Sequence, residues 1–361
     1  MAEPMKNLIN LEVIKEVAEA IKSVHNDFDA AGFVRETINE SWNSLELMQR
    51  CRAVCERFKE YLPKDYETAI KILMQAIGKI KEGFVMESFT LYVANYGLDE
   101  KYWNISMSAL ALFTKHFTSE FAVRPFIIKH EERMMSQMRE WSKSDNEHLR
   151  RLSSEGCRPA LPWAMGLPKY KIDPSPILSI LEELKEDVSL YVRKSVANNI
   201  NDISKTHPEL VIEIAKRWYG ENEKTNWIVK HGLRTLLKKS KPEALAIFGL
   251  GDVEAIEVSN FAIKENLIKL GDSLEFSFEI KAKKMTKARL EYGVDYMKSN
   301  GKQNRKIFQI SEITLKENKT KHYFKKHPLA DHSTRKHYLG KHAITLIVNG
   351  LEQGSFNFEL I

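Results

Sequence analysis

The sequence predicts a mainly α chain: a HEAT-like α-solenoid over residues 1–255, then a small all-β immunoglobulin-like sandwich over residues 256–361. Three observations carry this reading. A helical pattern echoes itself after about forty residues, the period of stacked helix pairs. Beyond about Ser259 the apolar period changes from 3.6 to 2. Charge divides near the same place, with 19 Lys and Arg against 12 Asp and Glu from Ile256 onward and 36 against 37 before it.

The helical part begins with LEVIKEVAEAIKSV and continues through FVRETINESWNSLELMQRCRAVCERFKEYLP, where Leu45, Met48, Cys51 and Cys55 keep helical spacing and Pro63 closes the run. DYETAIKILMQAIGKI and ESFTLYVANYGLDE form a further pair. In the next segment Trp103, Met107, Leu110 and Phe113 make a stripe expected in the core. FTSEFAVRPF follows; Thr118 or Ser119 is a natural N-cap there, which puts Glu120 in a first helical turn.

The echo lies in two blocks. DVSLYVRKSVANNINDISKTHPE has Asp187 six residues before Arg193; SDNEHLRRLSSEG has Asp145 six before Arg151, and Arg193 falls 42 residues after Arg151. Val192, Val196, Ile200 and Ile203 form one apolar helix face, and Tyr191, Ser195, Asn198 and Asp202 a second stripe able to line a concave surface. Spacing favours an inter-repeat ladder for Asp187 and Arg193. It leaves Glu155 and Asp202 open between ladder and groove. Between the blocks, EGCRPALPWAMGLPKYK breaks the helical period with three prolines and two glycines, an ordered loop that fixes Trp163. Further on, Lys230, His231, Arg234, Lys238 and Lys239 supply a basic stripe.

In the C-terminal part, SLEFSFEI and ARLEYGVDYMK alternate apolar and polar residues. The last two strands meet at Asn349-Gly350, a strong hairpin turn. About seven short strands in a hundred residues indicate the sandwich, although the Cys-Trp-Cys signature is absent. KTKHYFKKHPLADHSTRKHYLGKH reads as a long basic loop or edge and, with five of the eleven histidines between His322 and His342, suits a polyanion.

Composition excludes several classes. Three cysteines give neither a disulfide framework nor a zinc set, and Cys51 and Cys55, one turn apart, read as packing. No apolar run approaches a membrane span and the N-terminus has no signal-like apolar core, so a cytosolic protein is expected. No metal or cofactor is expected, and nothing suggests an obligate dimer; a monomer is expected.

FTSEFAVRPF, EGCRPALPW and DVSLYVRKSVANNINDISKTHPE together resemble the AlkC branch of the AlkC/AlkD DNA glycosylases, bacterial HEAT-like base-excision-repair enzymes, some of which carry a C-terminal immunoglobulin-like domain. The resemblance implies excision of cationic N-alkylated bases, 3-methylcytosine and 3-methyladenine among them, from duplex DNA without flipping the lesion into a pocket. It implies Glu120, Glu155 and Asp202 as the catalytic acidic groups, with Phe121 and Trp163 nearby and Arg151, Arg158 and Arg193 holding the backbone. Asn198 of the polar stripe and Lys230 and Arg234 of the basic stripe complete the expected DNA-binding set. No lysine in the acidic cluster reads as a Schiff-base nucleophile. Three carboxylates in a DNA groove would repel the duplex, which favours a catalytic role for them. The competing reading is a HEAT-repeat scaffold that binds DNA or protein without chemistry.

Overall fold

Helix starts follow from capping chemistry. The Asn10, Asp65 and Asn146 side chains accept backbone N–H groups of the turns they precede, and Pro168, Pro208 and Pro242 occupy first turns, where no N–H is required. The computed structural model describes residues 3–81, 83–331 and 336–361. Its helices are α1 Leu11–Lys22, α2 Ala30–Thr37, α3 Leu47–Tyr61, α4 Tyr66–Ala76, α5 Glu87–Tyr96, α6 Trp103–His116, α7 Val123–Lys129 and α8 Glu131–Trp141. They continue as α9 Glu147–Glu155, α10 Pro168–Ile172, α11 Ser175–Leu184, α12 Leu190–Ile203, α13 Pro208–Trp218, α14 Glu223–Gly232, α15 Arg234–Lys238 and α16 Pro242–Ile247.

The expected run through Ile38 breaks instead between α2 and α3. Asn39 Oδ1 takes the Ser41 N–H and hydroxyl, and the Ser44 hydroxyl donates to the Ser41 carbonyl, so local side-chain bonds replace the helical ladder. The stripe of Trp103, Met107, Leu110 and Phe113 is buried as expected, and so are Val192, Val196, Ile200 and Ile203. Ser195 and Asp202 of the second stripe are buried as well, because α12 is flanked by both α9 and α14. Cys51, Cys55 and Cys157 are buried free thiols, each pushed up to about 12 first by burial.

The chain forms two compact units: Met1–Thr206 with Asn222–Gly232, and His207–Glu221 with Leu233–Ile361. The strands begin at Ile256, but their unit also takes in α13, α15 and α16. The Ser240 hydroxyl in that unit donates to the buried Glu291 carboxylate.

Among the described residues the sandwich has eight strands: β1 Ile256–Ile263, β2 Leu267–Ile268, β3 Ser273–Ala282, β4 Thr286–Met297, β5 Gln303–Leu315, β6 Thr320–Pro328, β7 Gly340–Val348 and β8 Leu351–Leu360. One sheet has the order β1-β3-β6, the other β2-β8-β7-β4-β5. Alternation in β3 and β4 buries Leu274, Phe276, Phe278 and Ile280 in one core with Leu290, Tyr292, Val294 and Tyr296. Asn349 (φ 49°) and Gly350 (φ 81°) both take the left-handed conformation that a two-residue type I′ hairpin turn needs.

The lysine- and histidine-rich segment contributes β6, an edge strand paired with β3, and its residues 332–335 lie outside the described residues. Three of its histidines are not on the surface: His327, His337 and His342 are buried, and His327 is hydrogen-bonded through its two ring nitrogens to the Tyr292 and Tyr296 hydroxyls at 2.9 and 2.6 Å. Among the described histidines of the segment His322 is exposed, 3.1 Å from a Glu279 carboxylate oxygen, beside the exposed Lys321 and Lys326.

Candidate active site

The site is built where α9 and α12 pack side by side in the first unit. Asn199 Nδ2 donates to the Ser154 carbonyl at 2.8 Å, joining the two helices. At the end of α9, Gly156 has no room for a methyl group, which would lie 2.5 Å from a Val123 methyl of α7. Any larger residue there would push α9 away from α7.

Along this junction runs an alternating chain of charges. Glu120 is ion-paired with Arg151, whose Nη2 also lies 3.6 Å from Glu155 Oε1. Arg158 Nη1 bonds the same Glu155 oxygen at 2.6 Å, and its Nε bonds Asp202 Oδ2 at 2.9 Å. Lys205 Nζ ends the chain on Asp202 Oδ1 at 2.8 Å. Burial alone would lower both guanidinium groups. Glu120 and Glu155 beside Arg151, and Glu155 and Asp202 beside Arg158, more than offset this and hold both above the ordinary arginine value. Thr118 Oγ1 accepts from Arg151 Nη1 at 2.9 Å, and the Tyr191 ring lies 5.2 Å from the guanidinium carbon.

The three carboxylates and two of the three expected arginines, Arg151 and Arg158, thus share one network. Access to it is graded: the Glu120 side chain is 13% exposed and that of Asp202 only 2%. Glu120 does not stand in a helical first turn. It sits in the turn ahead of α7, where the Thr118 hydroxyl bonds its carboxylate at 2.8 Å, and Phe121 beside it is half-buried. Lys205 is a member that sequence reasoning missed, although its place one turn after Asp202 was readable. The expected electrostatic conflict also dissolves, because three cations face three carboxylates and the network is balanced.

Trp163 stands on the loop between α9 and α10, 69% exposed, with φ +64°, a strained conformation for a non-glycine residue. Arg193 lies outside the network and donates to the Asp187 and Val188 carbonyls at the start of α12, at 2.6 and 3.0 Å. Arg150 makes the equivalent bonds to the Ser144 and Asp145 carbonyls, so the structural echo pairs Arg193 with Arg150 and not with Arg151. Asn198 is half-buried on α12, one turn before Asp202; Lys230 is exposed on α14; Arg234 belongs to the second unit. Glu87 of α5, which no spacing pointed to, is buried, and among the described residues neither carboxylate oxygen has a hydrogen-bond partner. Burial first, and Glu120 second, push its carboxyl well above the ordinary range.

Residues 116–236 match the family model of the DNA alkylation repair enzymes, and residues 257–361 match that of the C-terminal Ig-like domain of the uncharacterised protein YhaZ. The chain is 44% identical over 356 residues to the uncharacterised protein YhaZ of Bacillus subtilis strain 168, covering 99% of each. It is 37% identical to the Pseudomonas fluorescens alkylpurine DNA glycosylase AlkC bound to DNA containing an abasic site analog, with a TM-score of 0.85 over 100% of this chain and 99% of that one. The chain belongs to the AlkC branch of the AlkC/AlkD family, the branch with an immunoglobulin-like C-terminal domain.

Proposed function

We propose that this protein is a monofunctional DNA glycosylase of the bacterial cytoplasm that excises cationic N-alkylated bases, such as 3-methylcytosine and 3-methyladenine, from duplex DNA without metal, cofactor or base flipping. The observation that carries this is the joining of Glu120, Glu155 and Asp202 through Arg151 and Arg158 in one network. An N3-alkylated base is already a cationic leaving group and needs no strong general acid. As the C1′–N bond breaks, its electron pair neutralises the base and positive charge develops on the sugar. Fixed carboxylates stabilise that charge, and one orients the water that bonds to C1′ and takes its proton. Glu120, the most accessible of the three, is assigned to the lesion side. The exposed Trp163 and half-buried Phe121 offer π faces to the cationic base or sugar.

Residues 1–255 are assigned the chemistry, with Arg193, Asn198, Lys230 and Arg234 on DNA. Residues 256–361 are assigned an extension of the DNA footprint through their exposed lysines. Removing the sandwich whole would not test this cleanly, since its unit includes α13, α15 and α16; replacing surface lysines does. A monofunctional reaction fits the placement of Lys205: a Schiff base needs a free amine, and this nitrogen is engaged by Asp202.

The test is release of free base from methylated duplex DNA in EDTA, with 3-methylcytosine and 3-methyladenine scored separately and borohydride added to a parallel reaction. Release without a trapped protein–DNA adduct is expected. Complete pairing of the carboxylates is also what a non-catalytic scaffold would display. DNA binding without release of either base would establish that second reading.

A further inference from the structure

Arg124, in the second turn-position of α7, is completely buried, and among the described residues no carboxylate bonds its guanidinium. Its donors go to main-chain carbonyls of one loop. Nη1 bonds the Gly156 and Arg158 carbonyls at 2.9 and 3.0 Å, and Nε bonds the Met165 carbonyl at 2.6 Å. Nη2 is buried with no hydrogen-bond partner among the described residues. The loop is thus gripped on its outgoing limb at 156 and 158 and on its returning limb at 165. The Leu167 N–H closes it on the Pro159 carbonyl at 3.2 Å, and Leu161 and Leu167 are buried beneath it. Between the gripped limbs Pro162, Trp163 and Ala164 remain, and Trp163 is the one large exposed side chain among them.

A buried cation held only by carbonyl dipoles is a costly way to fix a loop, and a neutral apolar side chain of similar volume would be cheaper. Burial draws this guanidinium down to about 10. The feature makes physical sense if the position of the loop matters more than the stability of the core. Two groups depend on it. Trp163 must hold a left-handed φ of +64° with its ring outside the core, a state that persists only when its surroundings over-determine it. Arg158, whose side chain joins Glu155 to Asp202, has its own carbonyl in the grip.

We infer that Arg124 is a positioning residue, which sets the Trp163 loop and the Arg158 backbone for reaction. The catalytic part of this inference rests on the glycosylase reading above. The experiment uses the full-length chain and compares wild type with Arg124→Met, Arg124→Lys, Trp163→Ala and the double variant Arg124→Met/Trp163→Ala. Amide hydrogen exchange of residues 156–167 and the kcat and KM of base release are measured on each. Arg124→Met should raise loop exchange by about tenfold or more while the helices exchange as before. It should lower kcat at least to the level of Trp163→Ala, and the double variant should be no worse than Arg124→Met alone. Arg124→Lys, which keeps the charge and some of the bonds, should recover part of the loss. Unchanged loop exchange, or losses that multiply in the double variant, would overturn the inference. If Arg124→Met does not fold, Arg124→Lys carries the same comparison. A wild type that releases no base sinks the glycosylase reading alone: raised exchange then still upholds the grip, and unchanged exchange still removes it.

Discussion

Arg150–Asp187 and Arg158–Asp202 both join the α9 segment to the α12 segment through one arginine and one aspartate, yet the two joints are built for different ends. In the first, Arg150 forks onto both oxygens of Asp187 at 2.6 and 3.1 Å and uses Nη1 on the Ser144 and Asp145 carbonyls. Asp187 in turn accepts the Ser189 N–H at 2.8 Å, at the entry to α12. This joint is closed on itself. In the second, Arg158 divides its donors between two carboxylates, each of which is shared with another cation. Adjacent residues, Arg150 and Arg151, enter the two systems from one turn of one helix. Arg150 saturates Asp187, whereas Arg158 shares each of its carboxylates with another cation, and on the glycosylase reading proposed above this sharing leaves the carboxylates able to exchange partners.

The sharpest way to break that comparison is to neutralise one aspartate of each joint. Asp202→Asn should lower base release per folded molecule by about 10²–10³-fold, the range for removing one preorganised electrostatic group, an effect that outweighs the stability lost from its buried pair with Arg158. Asp187→Ala should do the reverse: a loss of about 3 kcal/mol in denaturant unfolding, since it strands a largely buried guanidinium and an N-terminal amide, with release per folded molecule retained. Equal loss of activity in both variants would abolish the distinction.

A smaller effect concerns the buried acid beside the network. Glu87 has its folded-state pKa raised, so the native state binds more protons than the unfolded chain. Stability then falls as pH rises from the unfolded carboxyl value of about 4.3 through the folded one. Glu87→Gln removes this dependence, so its melting temperature should gain on wild type between pH 5 and pH 8. A constant offset across that range would mean that Glu87 titrates normally. The smallest expected change is in the second unit. Replacing exposed Lys321 by Ala should reduce the slope of log binding constant against log salt by about one if it meets a phosphate. An unchanged slope would take that lysine out of the footprint.

Much of this molecule could be read before any coordinates. Strands β3 and β4 follow from the alternation of their apolar residues, and the β7–β8 hairpin from the chemistry of its Asn349-Gly350 turn. The acidic trio was marked only by the resemblance of the family blocks, and the structure brings the three side chains into one network, whereas spacing alone left Glu155 and Asp202 open between ladder and groove. What escaped has a common cause: it depends on which atoms meet, and the periodicity of one segment does not hold that information. Arg150 and Arg151 have the same chemistry and adjacent places, and only the direction each takes from α9 decides which is the ladder. Arg124 bonds backbone carbonyls, acceptors that every residue possesses, so no partner residue type marks it. His327, His337 and His342 count as basic surface by composition, but core packing and two tyrosine hydroxyls account for His327 better than any external anion.

The left-handed turn at Trp163 bears on how this protein would change under selection. Glycine adopts that conformation without the steric cost that an indole-bearing residue incurs. In a library screened for heat resistance alone, Trp163→Gly should therefore rise in frequency, and the same substitution should vanish when cells must survive an alkylating agent. Position 163 would then report, by the residue that fixes there, which of the two pressures a population had met.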